Sequence, residues 1–346
     1  MTHDDLEFPP YVAGWGMANG HLQSIVPSVF RQVRVPYQRT RLELDDGDFL
    51  DLDELPTASA QAPLVIITHG LEGSSQRSYM QGMARHFHDA GWQVIAWNFR
   101  GCGGDMNRLP RFYHSGAIAD LKVVIDHALL RGVDRIFLVG FSMGGNQTVL
   151  TLAEPDLPAQ VIGGAAFSVP LDLEACAHAL ARPAQRIYMR RFLRHLKVKV
   201  AEKSERFPDV VSLQGYDKIR NFKQFDDRYT GPLHGYRDAE DYWHRCSSSA
   251  VLNKLRRPTL VVNALDDPFL ASACYRRPSN ASSNLLLETP LRGGHVGFIR
   301  WRLNRPLWSE YRALAFARSI LKTAESKTAS PALQNGVTTS PNIGRR

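Results

Sequence analysis

Cysteine is scarce in this chain of 346 residues: Cys102, Cys176, Cys246 and Cys274 are scattered, with no C-x-x-C among them. That spacing argues against a disulfide framework or a structural zinc site and suits a reducing compartment. Long apolar runs are missing too, none approaching the ~20 residues that span a bilayer. The segment Met1-Thr2-His3-Asp4-Asp5-Leu6-Glu7 is acidic and lacks the basic start and apolar centre of a secretion signal. A cytoplasmic protein is the expectation. There is no zinc-finger spacing, no RNA-binding aromatic motif, no heptad pattern and no internal repeat. The formal net charge of +8 then reads as a general surface bias, and no nucleic-acid partner is expected.

The hydrophobic fraction of 44% and charged fraction of 22% are those of a soluble globular enzyme, and the length allows one large α/β domain or two smaller ones. The chain is organised around Arg135-Ile136-Phe137-Leu138-Val139-Gly140-Phe141-Ser142-Met143-Gly144-Gly145-Asn146. An apolar run rich in strand formers ends in Gly-x-Ser-x-Gly, and a helical pattern follows at once. Strand, sharp turn and helix in that order are the context of a nucleophile elbow. Its serine sits at strained backbone angles, so Gly140 and Gly144 must leave room on either side. Ser142 is therefore the candidate nucleophile.

Taken in order, residues 1–36 read as an N-terminal arm, irregular over 8–36 and too apolar for disorder. Two alternating strands flank Asp46-Gly47, a hairpin signal. Buried strands at Pro63–Thr68, Gln93–Asn98, the elbow run and Gln160–Phe167 then alternate with helical patterns, one of them from about Gly116 to Leu130. This predicts an α/β fold with a mostly parallel central sheet flanked by helices, its first part at residues 37–169. From 170 to 250 the alternation stops. Helical, basic sequence takes over, including Arg182, Arg186, Arg190, Arg191, Arg194, Lys197, Lys199 and Lys203, and reads as an inserted cap. Two readings of its charge stay open: a solvated amphipathic face, or a surface that steers acidic headgroups or rests peripherally on an anionic membrane. The core resumes at 251–322, closing with a helix from about Trp308 to Leu321, and the polar stretch 323–346 is expected to be disordered.

A serine hydroxyl needs a base beside it, itself held by a third group. In chain order Ser142 is followed by an acid just past a later strand and by a late histidine, the order Ser…Asp…His expected of an α/β-hydrolase. His295, in Gly293-Gly294-His295-Val296-Gly297-Phe298, is the chosen base. The acid is Asp267 or its neighbour Asp266. Only one can face the imidazole, and Asp267 is preferred, with Asp266 bracing the turn. Oxyanion donors are expected at the Met143 N–H and, from His69-Gly70-Leu71-Glu72-Gly73 after the first buried strand, at the Leu71 N–H. Cys102 has no histidine context and is assigned a packing role. Arg100 and Asp105 are expected to form a bracing ion pair. Their glycine-rich loop lacks G-x-G-x-x-G and is not a dinucleotide site.

Together, His69–Gly73, Asn98-Phe99-Arg100-Gly101-Cys102-Gly103-Gly104, Gly140–Asn146, Asp266-Asp267-Pro268-Phe269, Gly293–Phe298 and the N-terminal Asn19-Gly20-His21-Leu22-Gln23-Ser24-Ile25 resemble the YheT-like branch of α/β-hydrolases, AB hydrolase family 4. The resemblance covers roughly residues 10–320. It implies a carboxylesterase with a Ser142–Asp267–His295 triad, no cofactor, and short- or medium-chain esters or acylglycerols as substrates, with phospholipid or acyl-transfer activity in some members. Alternatives are an acyltransferase to an alcohol acceptor and an idle scaffold that binds lipid.

Overall fold

The computed structural model describes residues 8–300 and 302–329. Eight strands form one sheet: β1 (Gln38–Glu43), β2 (Phe49–Leu55), β3 (Leu64–Thr68), β4 (Gln93–Trp97), β5 (Ile136–Phe141), β6 (Val161–Phe167), β7 (Thr259–Val262) and β8 (Leu285–Glu288). Their spatial order is β1-β2-β4-β3-β5-β6-β7-β8. β1 and β2 are an antiparallel hairpin, β2 pairs antiparallel with β4, and every pair from β4 to β8 is parallel. This is the α/β fold the alternating pattern predicts.

The strands are buried on both faces because helices cover both. Within β3, Ile66 packs with Leu138, with Val124 of α3 (Ile118–Leu130) and with Val149 of α4 (Met143–Leu152). Its neighbours Val65 and Ile67 point the other way, onto Met83 and Phe87 of α2 (Ser78–Asp89) and Phe316 of α10 (Trp308–Ala329). That two-faced burial explains why the strands read as unbroken apolar runs rather than as alternation.

Between β6 and β7 the chain leaves the sheet for a helical insertion. It holds α5 (Leu173–Leu180), α6 (Arg186–Arg206), α7 (Phe222–Phe225), α8 (Gly231–His234) and α9 (Ala239–Cys246), with a π-helical turn at Asp226–Thr230 joining α7 to α8. Its basic residues do not all face solvent. Lys203 is fully buried and donates to the Asn107 and Leu109 carbonyls. Lys199 is nearly so, turned toward the β3 loop. Among the described residues no helix is long and apolar enough to cross a membrane.

Three local expectations change. The N-terminal arm is not irregular throughout: α1 (Gly20–Phe30) forms because Asn19 Oδ1 accepts the His21 and Leu22 N–H groups at 2.9 and 3.2 Å. The closing helix α10 continues to Ala329, past the Leu321 end its periodicity suggests; residues 330–346 of the expected disordered tail lie outside the described residues. Finally, Arg100 does not pair with Asp105. Asp105 lies at the surface and binds Arg41 at 2.7 Å. Arg100 points inward instead, bidentate on Asp120 of α3 at 2.7 and 2.9 Å and on Asp46 and Asp48 of the hairpin turn at 2.9 Å each. Asp48 is completely buried, so the guanidinium is what permits two or three carboxylates to converge there.

Replacing Arg100 with Met keeps the volume but strands the buried charges of Asp48 and Asp120. The expected cost is about 3–5 kcal/mol of folding stability, read from urea unfolding at pH 7 as the fall in midpoint multiplied by m; a loss under about 1 kcal/mol would refute the account.

Candidate active site

Ser142 lies at the junction of β5 and α4 with φ 54° and ψ −119°, a left-handed conformation that side chains rarely adopt. Its surroundings enforce it. A Cβ on Gly140 would lie 2.3 Å from the Gly144 carbonyl oxygen, and one on Gly144 would lie 2.4 Å from that of His69. The two glycines thus let α4 rise directly from the strand while the loop after β3 passes alongside. The Ser142 N–H donates to Phe167 O on neighbouring β6 at 2.9 Å, which ties the turn to the sheet. Buried Asn146 locks the first turn of α4 to the insertion, donating to Ser115 O and Cys246 O and accepting from the Ser248 N–H.

The β3 loop is built to lie against the serine. A Cβ on Gly70 would be 3.1 Å from Ser142 Cβ, so the Leu71 amide follows immediately beside it. Leu71 N–H has no acceptor among the described residues, and Met143, the first residue of α4, has no intrahelical acceptor for its N–H. His69 fixes the base of this loop. It is completely buried, its Nδ1 meets Gly70 O at 2.7 Å, and its Nε2 faces the Phe99 N–H at 3.1 Å. The second bond requires Nε2 to accept, so the ring is neutral with its proton on Nδ1. Burial holds its pKa down at about 3.

Glu72 continues the loop at φ 53°. Its N–H donates to Tyr113 Oη at 3.0 Å, and its carboxylate accepts from the same hydroxyl. Lys199 Nζ of α6 reaches that carboxylate at 3.2 Å and Cys102 Sγ at 2.8 Å. Burial alone would lower the Lys199 pKa, but Cys102 and Glu72 outweigh it and hold the ammonium above the usual lysine range. Burial raises the Cys102 thiol. Cys102 therefore serves in this cluster, away from the role of a nucleophile, and the cluster couples the insertion to the loop carrying Leu71.

Asp267 and His295 meet. His295 Nδ1 lies 2.9 and 3.1 Å from the two Asp267 carboxylate oxygens, and the Asp267 side chain is wholly buried. Phe269 N–H donates to Asp267 Oδ1 at 2.9 Å, and the Phe269 ring packs against the imidazole at a 37° tilt, centroids 4.2 Å apart. Asp266 faces away: its Oδ1 accepts the Gly294 N–H at 2.9 Å and braces the histidine loop. Ser142 and His295 line the same cavity, with no hydrogen bond joining them.

The N-terminal arm grips the histidine loop. Ser24 Oγ accepts the His295 N–H at 2.8 Å and donates to Gly20 O, while Gln23 Oε1 accepts the Ile299 N–H and its Nε2 donates to Ile299 O. A Cβ on Gly294 or Gly297 would strike Gly20 O or Gln23 O at 2.4 and 2.1 Å. Ser168, itself at φ 55°, accepts the Val296 N–H at 2.8 Å. Sequence reasoning assigned none of these holders. Ser24 stands in the N-terminal motif, where a signal was present without a role; Ser168 directly follows β6 and carries no signal.

The cavity at Ser142, about 130 Å³, is mostly apolar, with Leu173, Leu180, Phe222, Phe225 and Trp243 of the insertion in its wall. A second, about 160 Å³, opens from the same Ser142 and His295 toward α1 and the start of α2. In the first wall, burial raises Asp226 to about 7 although Thr230 and the Trp243 indole donate to it. Burial pushes His114 down to about 3 and His234 to about 4. Among the described residues no three His, Cys, Asp or Glu side chains cluster to hold a metal.

These features meet their relatives in three comparisons. A family model described as alpha/beta hydrolase fold matches residues 63–300, and the chain belongs to that family. Among curated proteins, the Escherichia coli putative esterase YheT is 36% identical over 86% of this chain and 89% of its own length, which places the chain in the YheT-like branch. The mouse phospholipase ABHD3 is 27% identical over 79% of this chain and 69% of its own, and a Saccharomyces cerevisiae monoacylglycerol lipase 29% identical over 72% and 57%. Among solved structures, the Pyrococcus furiosus esterase Pf2001 shares the fold at TM-score 0.55 and 17% identity, covering 92% of this chain and all of that one.

His69, His114 and His234 are neutral in the fold well below the 6.5 of a free imidazole, so the unfolded chain binds more protons as pH falls from about 6.5 toward 4. Stability contributed by these rings is full above 6.5 and is lost on acidification. Asp226, raised from 3.8 to about 7, works in the opposite direction, its protonated form favouring the fold at low pH. Burial lowers His86, His127 and His195 as well and raises Asp266 and Glu310, so the lowered rings outnumber the raised carboxyls and Tm is expected to fall from pH 7 to pH 4. Asp226→Asn removes the opposing contribution, so its Tm should fall more steeply than that of the wild type; parallel Tm profiles would refute the Asp226 assignment.

Proposed function

We propose that the protein is a serine carboxylesterase whose acyl-enzyme forms on Ser142. The reading is carried by one observation: an imidazole held through Nδ1 by a buried carboxylate faces the cavity in which a left-handed serine stands. With the Nδ1 proton donated to Asp267, His295 Nε2 is left as acceptor for the Ser142 proton. Ser142 Oγ attacks the ester carbonyl, His295 passes the proton to the leaving alcohol, and Asp267 stabilises the imidazolium between the two steps. The Leu71 and Met143 N–H groups receive the oxyanion, each such donor being worth about 10²–10³ in rate. Water, deprotonated by His295, then releases the acid.

The apolar first cavity suits a short- to medium-chain acyl group or that of an acylglycerol, and the names of the E. coli and yeast relatives agree with ester substrates. The exposed Arg186, Arg190 and Arg194 of α6 offer a face for an anionic membrane surface. Flotation with anionic but not neutral vesicles at low salt is the expected result, and no co-flotation with either would remove this part of the reading.

The direct test is hydrolysis of p-nitrophenyl esters from two to sixteen acyl carbons. Activity should peak at short or medium chains. Ser142→Ala should lower kcat by about 10⁴ or more with Tm preserved, and Asp267→Asn by about 10³–10⁴. Full activity in Ser142→Ala would overturn the assignment, and product partitioning toward an ester when alcohol is added would identify acyl transfer instead.

A further inference from the structure

The helix that clamps the histidine loop is amphipathic in the reverse sense. α1 turns Gly20, Gln23 and Pro27 to the protein, and Gln23 is completely buried in its bonds to Ile299. The outer face carries Leu22, Ile25 and Val29, at the i, i+3, i+7 spacing of one helical stripe. They are 44, 44 and 57% exposed. Val12 and Trp15 before the helix and Phe30 at its end are exposed as well. Six of the fourteen large apolar side chains exposed among the described residues thus fall within residues 12–30. A surface helix ordinarily turns such a stripe to the core, and apolar side chains gathered in one exposed place mark a contact with something outside the chain.

Charge indicates what that something is. The start of α6 lies beside α1, with His21 Nδ1 2.9 Å from Tyr188 Oη and the two rings stacked 5.7 Å apart. Next to Tyr188, Ile187 is 80% exposed, and Arg186 and Arg190 are exposed on either side of it. The chain has no Asp or Glu between Glu7 and Glu43, nor between Glu174 and Glu202, the stretches that hold α1 and the first four turns of α6. The carboxylates that meet α1 and its cap are turned inward: Glu310 is buried on Arg31, and Asp266 accepts the Gly294 N–H. A second copy packed face to face would set these arginines against their own counterparts, which like-charge repulsion opposes. An apolar stripe flanked by arginines without acids fits the interface of a bilayer that carries anionic lipid.

We propose that α1 is an apolar membrane anchor: Leu22, Ile25 and Val29 enter the boundary between headgroups and acyl chains, while Arg186 and Arg190 hold anionic headgroups beside them. This goes beyond an arginine face resting on the membrane. Salt screens the arginines, whereas the burial of the stripe survives it. The anchor also gives the second chamber a direction. Ser24, Ile25 and Ser28 of α1 and Tyr188 and Arg191 of α6 line that chamber together with Ser142 and His295. With α1 seated in the bilayer the chamber faces the lipid, and an ester passes from the membrane to Ser142 without crossing bulk water. The anchor stands on the surface of α1 alone; the delivery of an ester rests on the esterase reading.

The test is co-sedimentation of the full chain with phosphatidylcholine vesicles containing about 30% phosphatidylserine, at about 0.1 M and about 0.5 M NaCl. The wild type should bind at both, more weakly at high salt. Leu22→Glu/Val29→Glu should lower binding about tenfold or more at both salts, and Arg186→Gln/Arg190→Gln should lower it at low salt only. Leu22→Trp supplies a readout that does not depend on the Glu variant: its added fluorescence should be quenched by lipids brominated in the acyl chain. Equal binding of the wild type and the Glu variant, or no quenching of Leu22→Trp, would overturn the anchor. A dimer that Leu22→Glu/Val29→Glu dissociates, with no vesicle binding by the wild type, would overturn it in favour of a second copy. Turnover separates the two readings. The Glu variant should hydrolyse p-nitrophenyl butanoate in solution at the wild-type rate and lose about tenfold on a hexadecanoyl ester held in vesicles. Vesicle binding without hydrolysis of either ester by the wild type would overturn the esterase reading and leave the anchor standing.

Discussion

The close approach of three backbones at Ser142 is the constraint on which the site depends. β5, α4 and the loop after β3 come within contact distances that leave no space for a Cβ at Gly140 or Gly144. A left-handed serine costs on the order of 1–3 kcal/mol by itself. The sheet hydrogen bond to Phe167 O and the buried Asn146 bonds over-determine the turn and hold it. Because the same packing brings Gly70 against the serine, the nucleophile candidate and the Leu71 amide are positioned by one set of contacts.

Around that point, three separate segments are drawn in and each is pinned by polar groups held in hydrogen bonds or ion pairs away from solvent. Gln23 and Ser24 of α1 hold the loop of His295 from a distance of about 270 residues in sequence. Lys199 of the insertion holds the β3 loop through Glu72. Arg100 joins the hairpin turn to α3 through three carboxylates. Leaving any of these buried groups unpaired costs more than the pairing contributes, so they act chiefly to exclude other arrangements of the loops.

Much was readable because it depends on short-range pattern. The parallel sheet follows from apolar runs with helical segments between them, and the elbow follows from glycine spacing that only a sharp turn requires. Divergence of adjacent side chains allows only one of Asp266 and Asp267 to face His295, the distance from the strand end favours Asp267, and the structure puts Asp267 on His295 and Asp266 on Gly294 N–H. The pairing of Arg100 with Asp105 failed for a long-range reason: nearness along the chain does not tell whether a side chain points to solvent or into the space beneath a helix. The basic run of the insertion misled in the same way at Lys199 and Lys203, whose partners Glu72, Asn107 and Leu109 lie about a hundred residues away in the chain.

The sequence by itself determined the strands of the sheet and the helices that cover it, the elbow glycines at Ser142, and the nomination of His295 and Asp267 as candidates, since each rests on local backbone sterics or on chain order relative to the strands. Only the tertiary structure decided that α1 clamps the histidine loop, that a buried lysine ties the insertion to the β3 loop, and that α1 and α6 line one chamber. Those are meetings of segments distant in sequence, and they are set by which polar groups find partners once the sheet and its helices have closed.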